Sequence, residues 1–289
     1  MQNGIIIRKI RINKGLTQLQ ISNDIISQSN YSKFELGKID ISTTTFELIL
    51  RRLEISYEEF IFIKNGYKLN ENDRIVHDFF KLPYNDETAL RKIQKRAISQ
   101  NYLKEDVLLQ DIISMCSGLS IIHNNGDIDA AREKVQNVWK RLEGRDRWYI
   151  VDIKLINVIL FTFDIDSAVS IMERAVEALS PYQKYGEYHK LSISLKMNCS
   201  LLLMKESYFE IAINYLEEVI HESTQINSYL QLSIAYIRKG VCLINIKKEG
   251  IPYIKKGLKI LSVFEDKLLY NSLIGEINKY CSIKIGSYT

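Results

Sequence analysis

The sequence predicts an all-α protein, and three observations carry the prediction. Only 3 of the 289 residues are proline and 13 are glycine, too few breakers for a sandwich or barrel, which must turn every ten residues or so. In the first sixty residues, Ser or Thr followed three positions later by Glu or Gln recurs ahead of apolar runs, the pattern that satisfies two orphan amides at a helix start. Further on, the small residues Ala131, Ala168, Ala212 and Gly250 recur in steps of 37, 44 and 38, each opening a run with apolar residues three and four apart. The balance of 39 Lys+Arg against 35 Asp+Glu gives a net charge of +4, too mild to imply a polyanion partner unless the basic residues cluster.

The elements follow in order. Ile6, Ile7 and Ile10 form one apolar stripe with Arg8, Lys9, Arg11 and Lys14 around it, a short basic amphipathic helix stopped by Gly15. Thr17-Gln18-Leu19-Gln20 is a Thr-x-x-Gln capping box and opens a second helix running through Ile21 to Ile25. Ser27 is placed to cap a third, Gln28 to Glu35, ended by Gly37. Thr44 with Glu47 reads as the box opening a fourth helix through Leu53, and Ser56 with Glu59 as the box opening a fifth that ends near Ile63. Two short helices separated by a tight turn form a helix-turn-helix, which sets its second helix in a DNA major groove. Gln28, Ser29 and Asn30 at the start of the third helix, with Ser32 and Lys33 a turn later, are the side chains suited to base edges: amides pair with adenine and Lys reaches guanine. Tyr31 and Phe34 point the other way, into the core. Gln18 stands at a helix start whose amides can meet a phosphate.

Leu16-Thr17-Gln18 and Ser27-Gln28-Ser29-Asn30-Tyr31-Ser32-Lys33-Phe34-Glu35-Leu36-Gly37-Lys38 resemble the phage-repressor or XRE-type helix-turn-helix over residues 4–63. The resemblance implies that Gln18, Gln28, Ser29 and Lys33 face DNA. It places Arg11 and Glu35 at two positions that form a buried ion pair, which makes Arg11 structural. Arg8 and Lys9, with Lys38 beyond the third helix, are then the phosphate candidates. The expected organisation is a DNA-binding domain at 1–63, a polar linker at 64–74 and a repeat domain at 75–289.

In the repeat domain each small residue marks a second helix, carried by Val135, Val138 and Leu142, by Ile171, Ala175 and Leu179, by Leu216, Val219 and Ile220, and by Ile254, Leu258 and Leu261. The first helices fall at about 110–123, 147–163, 187–205 and 228–247, and a last one at 266–285. The steps exceed the ~34 residues of a tetratricopeptide repeat, so these units resemble degenerate TPR hairpins. Stacked, they form a right-handed α-solenoid whose first helices line a concave groove. Asn157 and Asn198, polar residues on apolar stripes, are candidates to grip a passing peptide backbone, since an Asn amide both donates and accepts. Arg147, Lys154, Arg238 and Lys239 are candidates for a terminal carboxylate, and Tyr236 and Tyr270 for pocket walls; core or surface packing is the competing reading for each.

A helix-turn-helix followed by TPR-like units is similar to the RNPP group of bacterial quorum-sensing regulators, and within it to the Rgg/GadR/MutR branch, on the third-helix run, Asp146-Arg147-Trp148-Tyr149 and Tyr208 to Glu218. That branch often carries Arg where Leu36 stands here, a departure that touches operator preference. The resemblance implies a homodimer, joined through the repeat domain, that senses a short signalling peptide and binds a near-palindromic double-stranded operator. A regulator whose repeats hold a partner protein instead of a peptide is the alternative.

Other chemistry finds little support. There is no P-loop, Gly-x-Gly-x-x-Gly, His-Glu-x-x-His or Gly-x-Ser-x-Gly, so no enzyme and no cofactor is expected. Asp164 and Asp166 suit helix capping. Cys116, Cys199, Cys242 and Cys281 lie in apolar patterns without Cys-x-x-Cys spacing, so buried thiols and no metal are expected. The first residues lack a signal peptide's apolar run, and no stretch nears the ~18 apolar residues of a membrane helix. The expectation is a cytoplasmic protein without membrane contact.

Overall fold

A computed structural model describes residues 3–82, 86–101 and 105–281, and its regular elements are all helical. The chain divides into two compact units at Lys81 and Leu82.

The first unit holds α1 (Asn3–Asn13), α2 (Gln18–Ser22), α3 (Gln28–Glu35), α4 (Thr43–Arg52), α5 (Tyr57–Lys64) and α6 (Glu71–Lys81). Its core is built from the apolar stripes of the first five. Ile7, Ile21, Tyr31, Ile49, Leu53 and Phe60 are fully enclosed, and the Phe46 and Phe60 rings meet edge to face at 4.9 Å. The Thr17 box forms as expected: its hydroxyl accepts the Gln20 amide at 3.2 Å, and the Gln20 side-chain oxygen accepts the Thr17 amide at 2.7 Å. Ser27 caps α3 on the Asn30 amide, and Ser56 caps α5 on the Glu59 amide.

Three boundaries differ from the sequence reading. Helix α2 stops at Ser22 and does not reach Ile25, because Asp24 takes a left-handed φ of 57°. The fourth helix opens on Ser42, whose hydroxyl accepts the Thr45 amide at 3.1 Å. Thr44 therefore lies inside the first turn, and the box with Glu47 is not the start. The expected linker at 64–74 ends in helix: Asn70 accepts the Asp73 amide at 2.8 Å and starts α6 at Glu71, three residues before Arg74. The compact-unit boundary then falls after α6.

The second unit holds α7 (Glu87–Gln100), α8 (Val107–Asn125), α9 (Ile128–Glu143), α10 (Ile150–Ile159, continued by a 3-10 turn at Leu160–Thr162), α11 (Ile165–Leu179), α12 (Tyr188–Lys205), α13 (Phe209–Gln225), α14 (Tyr229–Asn245), α15 (Ile251–Ser262) and α16 (Lys267–Tyr280). Helices α8–α9, α10–α11, α12–α13 and α14–α15 are the four expected hairpins, and α16 packs on α14. The end of the last expected helix lies outside the described residues. Helix α7, which packs on α8 and buries Ala97, lies before the first of the four repeat marks.

The register marks sit where helices touch. Ala131, Ala168 and Ala212 are wholly buried. The fourth mark is glycine because the approach is closer. A Cβ on Gly250 would stand 2.0 Å from the Gly240 carbonyl oxygen, and one on Gly240 would stand 2.6 Å from the Gly250 carbonyl oxygen. Asp127 and Asp164 cap α9 and α11 on the Ala130 and Ser167 amides, both at 2.9 Å. Between α9 and α10 an aromatic knot forms: Trp148 is buried, its ring 6.3 Å from that of Trp139, with the Arg174 guanidinium 3.9 Å above it. The four thiols are buried and unpaired, and burial pushes Cys116, Cys199 and Cys242 up to about 12.

Candidate functional sites: a helix-turn-helix face and a groove cavity

The first site is α3 and its surroundings. Gln28, Ser29, Asn30 and Lys33 are exposed on α3, Ser32 is half-buried, and Arg8, Lys9 and Lys38 are exposed nearby in sequence. The apolar face of the same helix, Tyr31 and Phe34, is buried. Thus the six-residue run Gln28–Lys33 splits into a packed side and a polar side, as its residue types predict.

Arg11 and Glu35 hold α1 against α3. The guanidinium donates from Nε to Oε1 at 2.6 Å and from Nη2 to Oε2 at 2.8 Å, and Nη1 donates to the Leu16 carbonyl at 2.7 Å. Burial alone would raise the Glu35 carboxyl. The hydrogen bonds from Arg11 and Gln18, with the Arg11 charge, overcome that and hold it below the usual carboxylate range. Gln18 is therefore not simply a free DNA-facing side chain: its Nε2 donates to Glu35 Oε2 at 2.8 Å. That bond ties one end of the amide to the ion pair.

Two residues missed by sequence reasoning shape this face. Gly4 lets α1 meet the end of α3, because a Cβ there would stand 1.8 Å from the Phe34 carbonyl oxygen. Arg52 closes the end of α2, donating from Nη1 to the Asn23 carbonyl at 2.5 Å. A glycine in an apolar helix and a basic residue at a helix end are each common, so neither stood out.

The second site lies within the repeat unit. A cavity of about 360 Å³ opens between α8, α10 with its 3-10 turn, and α12, the first helices of three consecutive hairpins. Leu119, Ile122, Val158, Phe161, Leu201 and Leu202 supply apolar wall. Asn157 and Asn198 both line it and are joined: Asn198 Nδ2 donates to Asn157 Oδ1 at 3.0 Å, and Asn157 Nδ2 donates to Ser194 Oγ at 2.9 Å. That chain of amides orients both side chains and leaves the Asn198 carbonyl oxygen without a partner among the described residues. The polar breaks in two apolar stripes thus meet at one place, 41 residues apart in sequence.

The remaining peptide candidates do not line this cavity. Lys154 is paired with Glu187 at 2.8 Å, Lys239 with Glu217 at 2.7 Å, and Arg238 with Glu276 at 2.8 Å. A cation already neutralised by a carboxylate is a poor receptor for another. Arg147 is exposed, 5.8 Å from the Tyr149 ring. Tyr236 accepts a hydrogen bond from Lys256 at 2.8 Å, and Tyr270 lines a separate cavity of about 270 Å³. Lys205 and His123 are the basic residues that do reach the Asn-lined cavity. In the sequence Lys205 closes the apolar run of α12 and reads as an ordinary helix-end cation.

Among the described residues no group of three or more His, Cys, Asp or Glu is placed to hold a metal ion, and no helix is long and apolar enough to cross a membrane.

A helix-turn-helix bundle in front of helical hairpins defines a two-unit regulator architecture. Residues 4–66 match a helix-turn-helix domain model, and residues 87–273 match the C-terminal domain of the HTH-type transcriptional regulator Rgg. The chain belongs to the Rgg family of helix-turn-helix transcriptional regulators. Solved structures share the fold. A transcriptional regulator from Listeria monocytogenes EGD-e is 20% identical with a TM-score of 0.80, over 96% of this chain and 97% of that one. The SHP pheromone receptor Rgg2 from Streptococcus dysgalactiae is 16% identical with a TM-score of 0.70, over 96% and 100%. PlcR from Bacillus thuringiensis, solved with the peptide PapR7 and DNA, is 18% identical with a TM-score of 0.67, over 96% and 98%. No curated protein sequence matches the chain.

Proposed function

We propose that this protein is a transcriptional regulator that binds a near-palindromic double-stranded operator through α3 and is controlled by a short linear peptide held in the cavity of its repeat unit. The observation that carries the peptide reading is the Asn157–Asn198 pair on the wall of that cavity. Two oriented amides above apolar wall suit an extended backbone, whose N–H and C=O groups need partners once desolvated. Family membership supports the regulator role, and Rgg2 and PlcR, whose ligands include a pheromone and a peptide with DNA, support the ligand classes. Gln28, Ser29, Asn30, Ser32 and Lys33 read bases; Arg8, Lys9 and Lys38 meet phosphates; Gln18 braces the ion pair and offers its free end to the backbone of the duplex. The protein acts as a homodimer, in the cytoplasm, without a cofactor.

A peptide can shift DNA binding only through its differential affinity for two arrangements of the protein. The test is operator binding by the full chain, measured with and without synthetic linear peptides encoded near its gene. A peptide-dependent change in operator affinity that disappears in Asn198→Ala is the expected result. Recovery of one stoichiometric protein partner, with no peptide altering DNA binding, would replace the peptide with a protein ligand.

A further inference from the structure

The cavity has a direction. Asn198 and Lys205 lie on the same helix seven residues apart, which is about two turns and brings both to one face. The rise between them is roughly 10 Å, a span that an extended peptide covers in about three residues. Asn157 and Asn198 bring amides to the cavity wall, and Lys205 lines the same cavity as Phe161, Leu201 and Leu202.

Unlike Lys154, Arg238 and Lys239, Lys205 makes no ion pair among the described residues. Partial desolvation, together with Lys279 and Arg238 nearby, lowers its affinity for its proton, and Glu276 and Glu206 only partly offset this. Glu276 is itself committed to Arg238 through two hydrogen bonds, at 2.8 and 3.1 Å. The edge of the cavity therefore carries unmatched positive charge.

We propose that this cavity receives the carboxyl-terminal residue of a linear peptide, with its terminal carboxylate on the Lys205 ammonium and an apolar last side chain against the wall, while Asn198 holds the backbone about three residues upstream. The proposal rests on the peptide reading above and adds to it the polarity of the ligand and the chemistry of its last residue. A chain end fits better than an internal Asp or Glu. Only the last residue presents a carboxylate and an apolar side chain together. In an extended segment the neighbours of an acidic residue point to the opposite side, and the apolar wall beside Lys205 would stay empty.

The experiment is affinity selection on the immobilised full-length protein from a pool of random heptapeptides, prepared once with free carboxyl termini and once amidated. The affinities of selected sequences are then measured on wild type, Lys205→Met and Lys205→Arg. The expected outcome is enrichment of free-acid peptides with Leu, Ile, Val or Phe in last place. Amidation or Lys205→Met should weaken them about tenfold or more, as loss of a charge-assisted hydrogen bond does, and Lys205→Arg should restore most of the affinity. Lys205→Met should leave amidated peptides unaffected. Selected peptides that bind Lys205→Met as well as wild type, or that carry internal Asp or Glu and tolerate amidation, overturn this proposal and leave the peptide function standing. Retention of no peptide in either pool removes the peptide function itself, and the proposal with it.

Discussion

At the scale of single residues, the Arg11–Glu35 pair makes the clearest demand. Removing one partner leaves a buried charge, so Arg11→Ala should destabilise the first unit by about 3–5 kcal/mol. Glu35→Gln should do the same near neutrality. Its pH dependence has a definite sign. The folded-state carboxyl lies below its ordinary value of 4.5, so the unfolded chain binds the extra proton and Glu35 contributes fully above that value. The contribution fades as pH falls through the lower folded-state value. Amide exchange of α3 should therefore show a gap between wild type and Glu35→Gln at neutral pH that narrows on acidification; a constant gap would mean that Glu35 does not carry the effect. At Gln28, replacement by Ala should leave exchange unchanged and cost about 1–3 kcal/mol of operator affinity at particular base pairs. Unchanged affinity and unchanged base preference would move the reading surface off the start of α3.

At the scale of elements, what the sequence made legible follows from which forces are local. Caps at Thr17, Ser27 and Ser56, and the second helices of the hairpins, were readable because a cap or an apolar stripe is encoded within a few residues. The true start of α4 was not: Ser42 and Thr44 are both good capping residues, and the choice depends on packing that sequence spacing does not show. Gly4 and Arg52 were invisible for the same reason, since each acts on a partner thirty or so residues away. Pairing of Asn157 with Asn198 was half legible. Each stood out as a polar break, but their meeting is a property of stacked hairpins, as is the neutralisation of Lys154, Lys239 and Arg238. The close approach of α14 and α15 offers a test. Gly240→Leu places a side chain where even a Cβ would crowd the Gly250 carbonyl, so α14 and α15 must separate. A loss of stability at or above the ~1–3 kcal/mol of ordinary overpacking is expected, read as a lower urea midpoint. An unchanged midpoint would show that these helices have slack.

At the scale of the whole molecule, DNA binding should be strongly salt-sensitive if Arg8, Lys9 and Lys38 meet phosphates. Each lost phosphate contact should reduce the slope of log K against log salt by about 0.9. A triple Ala variant that keeps the wild-type slope would exclude them. A homodimer should protect two half-sites about one helical turn apart, or multiples of it, and protection of a single isolated half-site would contradict that assembly. The chain has 2 tryptophans, and both belong to the knot between α9 and α10. Intrinsic indole fluorescence is consequently blind to the DNA-binding half. A denaturation curve followed at that wavelength describes the repeat unit alone, and any lag between it and the far-ultraviolet dichroism of the entire chain would measure how independently the two units melt.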